Sequence, residues 1–230
     1  MFRLLFISQL VMALIFAVIN NFAHSYVLCL FLKTVCSGIF VFTSFYAYKS
    51  LKVSYWSKYC KIILLGQIMC FVGDFLLQLG SVRSVSFVFG LLSFISAHFV
   101  FIVALTIKTR VEAVNIIIPC VLEAVFITGA LTLPIFDFYN ALPIIDFYVV
   151  MDLYFLGKSL SYARFRKSYP KFSLYTILGV SLIIAADTVI LFVLFVPSCP
   201  TKVLSLVNLL LYYAGQETLA LSLSCPEAAA

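Results

Sequence analysis

The chain has 230 residues, of which 64% are hydrophobic and only 10% charged, and its mean hydropathy is +1.17. A soluble domain needs more polar residues than this to cover its surface, so the composition excludes a water-soluble globular protein. The net charge of +6 sits in short basic clusters between apolar runs. No basic stripe interleaved with aromatics is present to follow a phosphate backbone, which excludes a nucleic-acid partner and leaves the distribution that orients membrane proteins.

A helix crossing the hydrocarbon needs roughly 20 apolar residues. Apolar runs set against polar punctuation predict eight such spans, near 3–20, 25–46, 61–79, 84–107, 111–131, 142–163, 172–196 and 202–223. The first follows Arg3 and has the look of a signal peptide, but its apolar run is long and many spans follow, so an uncleaved first span is expected. The second carries Lys33, the third Asp74, the fourth His98 and the fifth Glu123. The sixth carries Asp146, Asp152 and Lys158, the seventh Asp187 and the eighth Glu217, before a terminal Pro-Glu-Ala-Ala-Ala. These runs are too long for barrel strands and do not alternate, and a lipid-exposed backbone must satisfy its own hydrogen bonds. The expected fold class is therefore an all-α integral membrane protein, a single eight-span helical bundle with short loops. Most of the seven cysteines fall within apolar runs and none forms a Cys-x-x-Cys pair, so they read as small apolar side chains.

Loop charge sets the orientation. Arg3, Lys49, Lys52, Lys58, Lys61, Lys108, Arg110, Arg164, Arg166, Lys167 and Lys171 fall on one side, and only Arg83 and Lys202 on the other. Eleven against two places both termini in the cytoplasm, in the endoplasmic reticulum of a eukaryote or the inner membrane of a bacterium. Lys158 lies near the cytoplasmic end of its span and is expected to snorkel to the interface.

Ionisable groups at bilayer depth are costly and usually face the bundle interior, which makes them candidate functional residues. Asp74 and Asp187 each lie roughly 20 Å from the cytoplasmic start of their spans at about 1.5 Å per residue, and Lys33 roughly 12 Å in from the opposite face. An internal symmetry singles out the two acids. Gly66 and Gly179 each precede an Asp by eight residues, and a small residue, Gly73 or Ala186, stands immediately before it. This predicts a 4+4 parallel repeat in which Asp74 and Asp187 are counterparts facing one cavity, with small residues allowing close helix approach. His24 and His98 are the only histidines, too few for the His-rich ligand set usual in a membrane zinc hydrolase, so no metal is expected, with a carboxylate-based site the one alternative left open. Ser93 and Ser96 are poorly spaced to face His98 on a helix, and no Gly-x-Ser-x-Gly elbow or Walker-type loop occurs.

The segment from Gly66 to Phe101 contains Gly73-Asp74, Phe87, Gly90-Leu91, Phe94 and Ala97-His98. Farther on stand Asp187 after small residues, then Tyr212, Tyr213, Ala214 and Gln216. This pattern resembles the YhhN-like lysoplasmalogenase family, with Lys33 in the place of its early intramembrane lysine. The chain departs from it at Thr34-Val35, where the family has Pro after the Lys, and at Ala186, where Ser is common. Glu123 and Asp152 have no counterpart. The resemblance implies an eight-span enzyme cleaving the sn-1 vinyl ether bond of lysoplasmalogens to a fatty aldehyde and glycerophospho-ethanolamine or -choline. It implies Asp74 and Asp187 as a catalytic acid and base, and Lys33, His98, Tyr213 and Gln216 as groups that orient the substrate or bind its head. The implied partners are a lysophospholipid substrate and membrane lipids, with no cofactor. Two other readings of the same residues are a transporter, which also uses intramembrane charges and repeats, and a lipid-binding membrane protein without activity. The loop charges and the buried acids do not specify an oligomeric state.

Overall fold

The computed structural model describes residues 1–22, 25–50, 54–81, 84–138, 141–199 and 201–225. His24, Lys52, Arg83 and the terminal segment after Cys225 lie outside the described residues. Among those described, the chain forms eight long helices and no strand: α1 Phe2–Phe22, α2 Tyr26–Ser50, α3 Ser54–Gln78, α4 Val85–Lys108, α5 Val114–Thr132, α6 Leu142–Leu160, α7 Pro170–Phe195 and α8 Thr201–Ser222. A 3₁₀ turn, Ser161–Arg166, joins α6 to α7.

Local chemistry explains several boundaries. Ser84 caps α4, its Oγ accepting from Phe87 N at 3.2 Å. Pro143 and Pro170 stand in the first turns of α6 and α7, where a missing N–H costs nothing. Helix α3 begins seven residues before the span expected at 61, because Lys58 and Lys61 mark the edge of the hydrocarbon without interrupting a helix. The sixth span was expected to run to 163, but the 3₁₀ turn takes over at Ser161.

Helices α1, α2, α3 (from Trp56), α4, α5 and α7 are long and apolar enough to cross a membrane on composition alone. Helices α6 and α8, with 19 and 22 residues, are of spanning length but more polar. Their polar side chains turn inward: Asp152, Lys158 and Ser159 on α6 and Asn208, Gln216 and Glu217 on α8 are all buried. Outward-facing Leu4, Phe31, Val85, Ile117, Val125 and Leu131 are exposed, as the lipid-facing surface of a membrane bundle requires. The fold is an all-α membrane bundle.

Successive helices run antiparallel. Phe2 meets Tyr46 across α1 and α2, Ser37 meets Asp74 across α2 and α3, and Asn115 meets Ser161 between α5 and the 3₁₀ turn after α6. The α2–α3, α4–α5 and α6–α7 connections thus share one end, which carries most of the lysines and arginines and is called the basic end below. Helix α3 packs on α4 as α7 packs on α8, and α4 meets α6 as α8 meets α2. These paired neighbours follow the expected 4+4 correspondence. It breaks at α1, which packs on α8, whereas α5 makes no comparable contact with α4 among the described residues.

Small residues set the two main seams. A Cβ on Gly179 would stand 2.7 Å from Leu219 N and 3.0 Å from Gly215 O, and one on Gly73 would stand 3.2 Å from Gly90 O. A side chain at Gly179 would force these backbones apart and one at Gly73 would crowd its neighbour, and close approach lets dispersion act over the whole seam. Polar contacts tie the helices further: Gln67 Nε2 donates to Gln216 O at 3.0 Å, Thr43 Oγ1 to Glu217 Oε1 at 2.9 Å and Asn208 Nδ2 to Ala186 O at 2.8 Å. Lys158 corrects the expectation of snorkelling. It is fully buried, and its Nζ donates to Arg110 O at 2.8 Å and Thr109 O at 3.2 Å, satisfying carbonyls just past the C-terminus of α4.

Candidate active site

Asp74 is held from two neighbouring helices. Its residue precedes the end of α3 by four positions, about 6 Å at the helical rise, and Gly73 beside it lets α4 come close. From α2, Ser37 Oγ donates to Asp74 Oδ2 at 2.7 Å and Lys33 Nζ lies 3.5 Å from Oδ1. From α8, Tyr212 OH donates to Oδ2 at 2.9 Å. The Asp74 side chain is about 5% exposed and that of Lys33 about 13%, so this ion pair lies in the bundle interior.

Asp187 of α7 has a different setting. Its neighbours are Tyr148 and Asp152 of α6 and His98 of α4. His98 and Asp152 are in direct contact through Nδ1 and Oδ1, and the nearest ligand atoms of His98, Asp152 and Asp187 all lie within 4.8 Å of one another. The His98 ring is stacked between Tyr148 and Phe155, each 5.4 Å away by ring centroids. Asp187 Oδ2 is buried without a hydrogen-bond partner. By donor set and spacing this trio is where a cation would be held, two carboxylates and an imidazole suiting a transition metal.

The two settings mirror one another. Asp74 is flanked by α2 and α8, and Asp187 by the corresponding α6 and α4. Both acids line one apolar cavity of about 110 Å³, together with Lys33, Tyr148, Tyr212 and Asn208 and walls from Leu77, Phe87, Leu91 and Phe94. The expectation that the repeat would bring Asp74 and Asp187 to a common cavity matches this arrangement.

The remaining sequence-derived residues fall in different places. Lys33 lines the cavity. His98 is fully buried behind Asp187 and is absent from the cavity wall. Tyr213 turns away from the cavity into the apolar interior, its ring against Phe16 and Phe40. Gln216 sits between α8 and α3, its Nε2 against Cys70 Sγ at 3.4 Å, and does not reach the cavity wall either. Residues of the site to which the sequence assigned no role are Tyr212, of the family pattern, Asp152, among the intramembrane acids, Tyr148 and Asn208. The spacing of Tyr148 and Asp152, four apart on one helical face, was the available signal for that pair. Glu123, also among the intramembrane acids, lies on α5 beside Asp146 of α6, away from this cavity.

No curated protein and no solved structure matches the chain. The sequence model described as the YhhN family matches residues 27–223, a range holding every residue of the site from Lys33 to Tyr212, and the chain belongs to that family.

Proposed function

We propose that the protein hydrolyses the sn-1 vinyl ether bond of lysoplasmalogens, releasing a fatty aldehyde and a glycerophospho-ethanolamine or -choline. The observation that carries this reading is the facing of Asp74 and Asp187 across one apolar cavity. Family membership supports a hydrolase, and the paired acids support this class of hydrolysis, in which a proton must reach carbon before water adds.

In this mechanism Asp187 is the acid. It draws on the buried cluster that it forms with Asp152 and His98, where close carboxyls favour a shared proton. Asp187 gives that proton to the alkene carbon remote from oxygen. The C=C pair forms the new C–H bond, and the ether oxygen shares its lone pair to give an oxocarbenium ion. Asp74, paired with Lys33 and accepting from Ser37 and Tyr212, acts as the carboxylate: it stabilises the cation and then takes a proton from the water that adds to it. This division of labour is the one paired carboxylates use on glycosides. The hemiacetal then passes its hydroxyl proton to the departing glycerol oxygen as the C–O bond breaks. The proton held by Asp74 returns to Asp187, so one water is consumed in each turnover and the enzyme is unchanged.

The test is aldehyde release from a lysoplasmalogen by the protein purified in detergent. Asp74→Asn and Asp187→Asn should each lower kcat by roughly 10²-fold or more, the usual contribution of a positioned acid or base, while each variant still unfolds cooperatively in detergent. Wild type that releases no aldehyde overturns the reading, and full turnover in either variant overturns the paired-acid mechanism.

A further inference from the structure

The cavity lined by Asp74 and Asp187 lies toward one end of the bundle: Leu77 and Phe195 stand in the last turns of α3 and α7, and Phe87 in the first turn of α4. Its walls at Lys33, Leu77, Phe87 and Asn208 also bound a second, larger cavity of about 350 Å³. That second cavity reaches Asn20, Gln78, Ser81 and Ser205. These four polar residues lie at the end of α1, the end of α3, the loop after it and the first turn of α8. They therefore mark the end of the bundle opposite the basic end.

At the basic end aromatic rings fill the interior between α3, α4, α7 and the 3₁₀ turn, and the cavities beside Arg3 and Lys171 and beside Arg166 share no lining residue with that of the acids. Trp56, Tyr59, Tyr162 and Phe172 are each no more than 1% exposed. Their rings interlock, with Trp56 and Phe172 at 4.7 Å and Tyr59 and Phe172 at 5.6 Å by centroids. Lys108 Nζ sits 4.8 Å over the Trp56 ring, a cation held against an aromatic face. Tyr162 OH donates to Leu105 O and Ser173 Oγ to Tyr162 O, which locks α4, α7 and the 3₁₀ turn together behind these rings.

We infer that the site takes its lysophospholipid from the leaflet at the end opposite the basic loops, with the polar head among Asn20, Gln78, Ser81 and Ser205 and the vinyl ether below it between Asp74 and Asp187. This rests on the hydrolase reading for the substrate and on the cavity for the direction. Depth agrees with it: Asp74 is about 6 Å beneath the end of α3 at the helical rise, and in a lysoplasmalogen the ether lies a glycerol's length below the phosphate. The chemistry of the mouth agrees as well. Amides and hydroxyls offer donors to a phosphodiester, no carboxylate stands among the described residues that line the mouth, and Lys202, on the same rim, lies 5.5 Å over the Phe22 ring. By the loop-charge asymmetry this leaflet is the non-cytoplasmic one. The water-soluble glycerophospho product leaves on that side, and the aldehyde stays in the lipid.

The experiment uses the full chain in sealed vesicles sorted by orientation, with a protease-sensitive tag on the C-terminus reporting which end is outside. A vinyl-ether lysophosphatidylethanolamine is added to the outer leaflet alone. Vesicles with the basic end inside should release aldehyde at least tenfold faster than those with it outside, and detergent should abolish the difference. Equal rates, or faster release with the basic end outside, overturn the inference. Ser205→Trp, which narrows the mouth, should lower kcat/KM at least tenfold at unchanged unfolding temperature, and unchanged kcat/KM would count against the mouth. If wild type shows no turnover in detergent, the hydrolase reading fails on its own. The direction is then decided by a lysophosphatidylethanolamine carrying a photoreactive head: cross-links to the ends of α1, α3 or α8 at the mouth support it, and cross-links to the basic end overturn it.

Discussion

Lys33 Nζ lies 3.5 Å from Asp74 Oδ1, a cation and an anion from neighbouring helices held together in the bundle interior. Removing one partner of such a pair strands the other charge. Lys33→Met should therefore destabilise the bundle by about 3 kcal/mol, the lower end for breaking a buried pair, since Ser37 and Tyr212 still donate to the carboxylate. Lys33→Met combined with Asp74→Asn should recover most of that loss. Thermal unfolding of the four proteins in detergent measures the coupling, and additive losses would show that the two side chains do not act as a pair.

Tyr212 and Tyr213 are adjacent in sequence but not in role. Tyr212 donates to Asp74 Oδ2, while Tyr213 packs its ring on Phe16 and Phe40. Tyr212→Phe should reduce kcat for aldehyde release about tenfold, the effect of losing roughly 1.4 kcal/mol of hydrogen bonding to a charged group. Tyr213→Phe should leave kcat within twofold of wild type. Comparable losses in both would mean that the tyrosine pair works as a unit.

Two glycines separate close packing from helix propensity. Gly179→Ala puts a methyl against Leu219 N and Gly215 O, backbone atoms that cannot swing aside, and should cost about 1–3 kcal/mol by overpacking the α7–α8 seam. Gly38→Ala meets nothing within 4 Å and should stabilise α2 by about 0.5–1 kcal/mol. Unfolding temperatures in the same detergent compare them directly, and a tolerated Gly179→Ala would mean that the seam is looser than its backbone distances.

His98, Asp152 and Asp187 are close enough to share a cation, yet the proposed chemistry runs on a proton. Treatment with a strong chelator should leave aldehyde release within twofold of the untreated protein, and elemental analysis should find no stoichiometric transition metal. Loss of turnover that zinc or manganese restores would reassign Asp187 from proton donor to ligand.

The fold was largely legible because each helix is an apolar run whose limits water and lipid both dictate. The place where this reasoning slipped, the start of α3, is one where charged residues sit on a helix that continues past the hydrocarbon edge. The site was legible in part. Asp74 and Asp187 stood out because each recurs after the same small residues in the two halves, and Lys33 because a charge at that depth needs a partner. Tyr212, Tyr148 and Asp152 were harder to find, since depth along a helix is written in the sequence but the rotation that turns a side chain to a particular neighbour is not. Tyr213 and Gln216 show the same limit in reverse. Both lie within the residues that resemble the family, and packing turns both away from the cavity. Lys158 was misplaced because a lysine near a helix end has two ways to be satisfied, water or carbonyls, and only the approach of α4 decides between them.

Trp56 is the only tryptophan of the chain, and it stands at the centre of the aromatic cluster with Lys108 over its ring. Its tryptophan fluorescence, excited at wavelengths where the tyrosines do not absorb, is therefore a report from a single location. It reads the cohesion of the basic end, where α3, α4, α7 and the 3₁₀ turn converge, and is remote from the acids. Loosening of that end during denaturation can be followed optically without a label, separately from the loss of turnover at the far end.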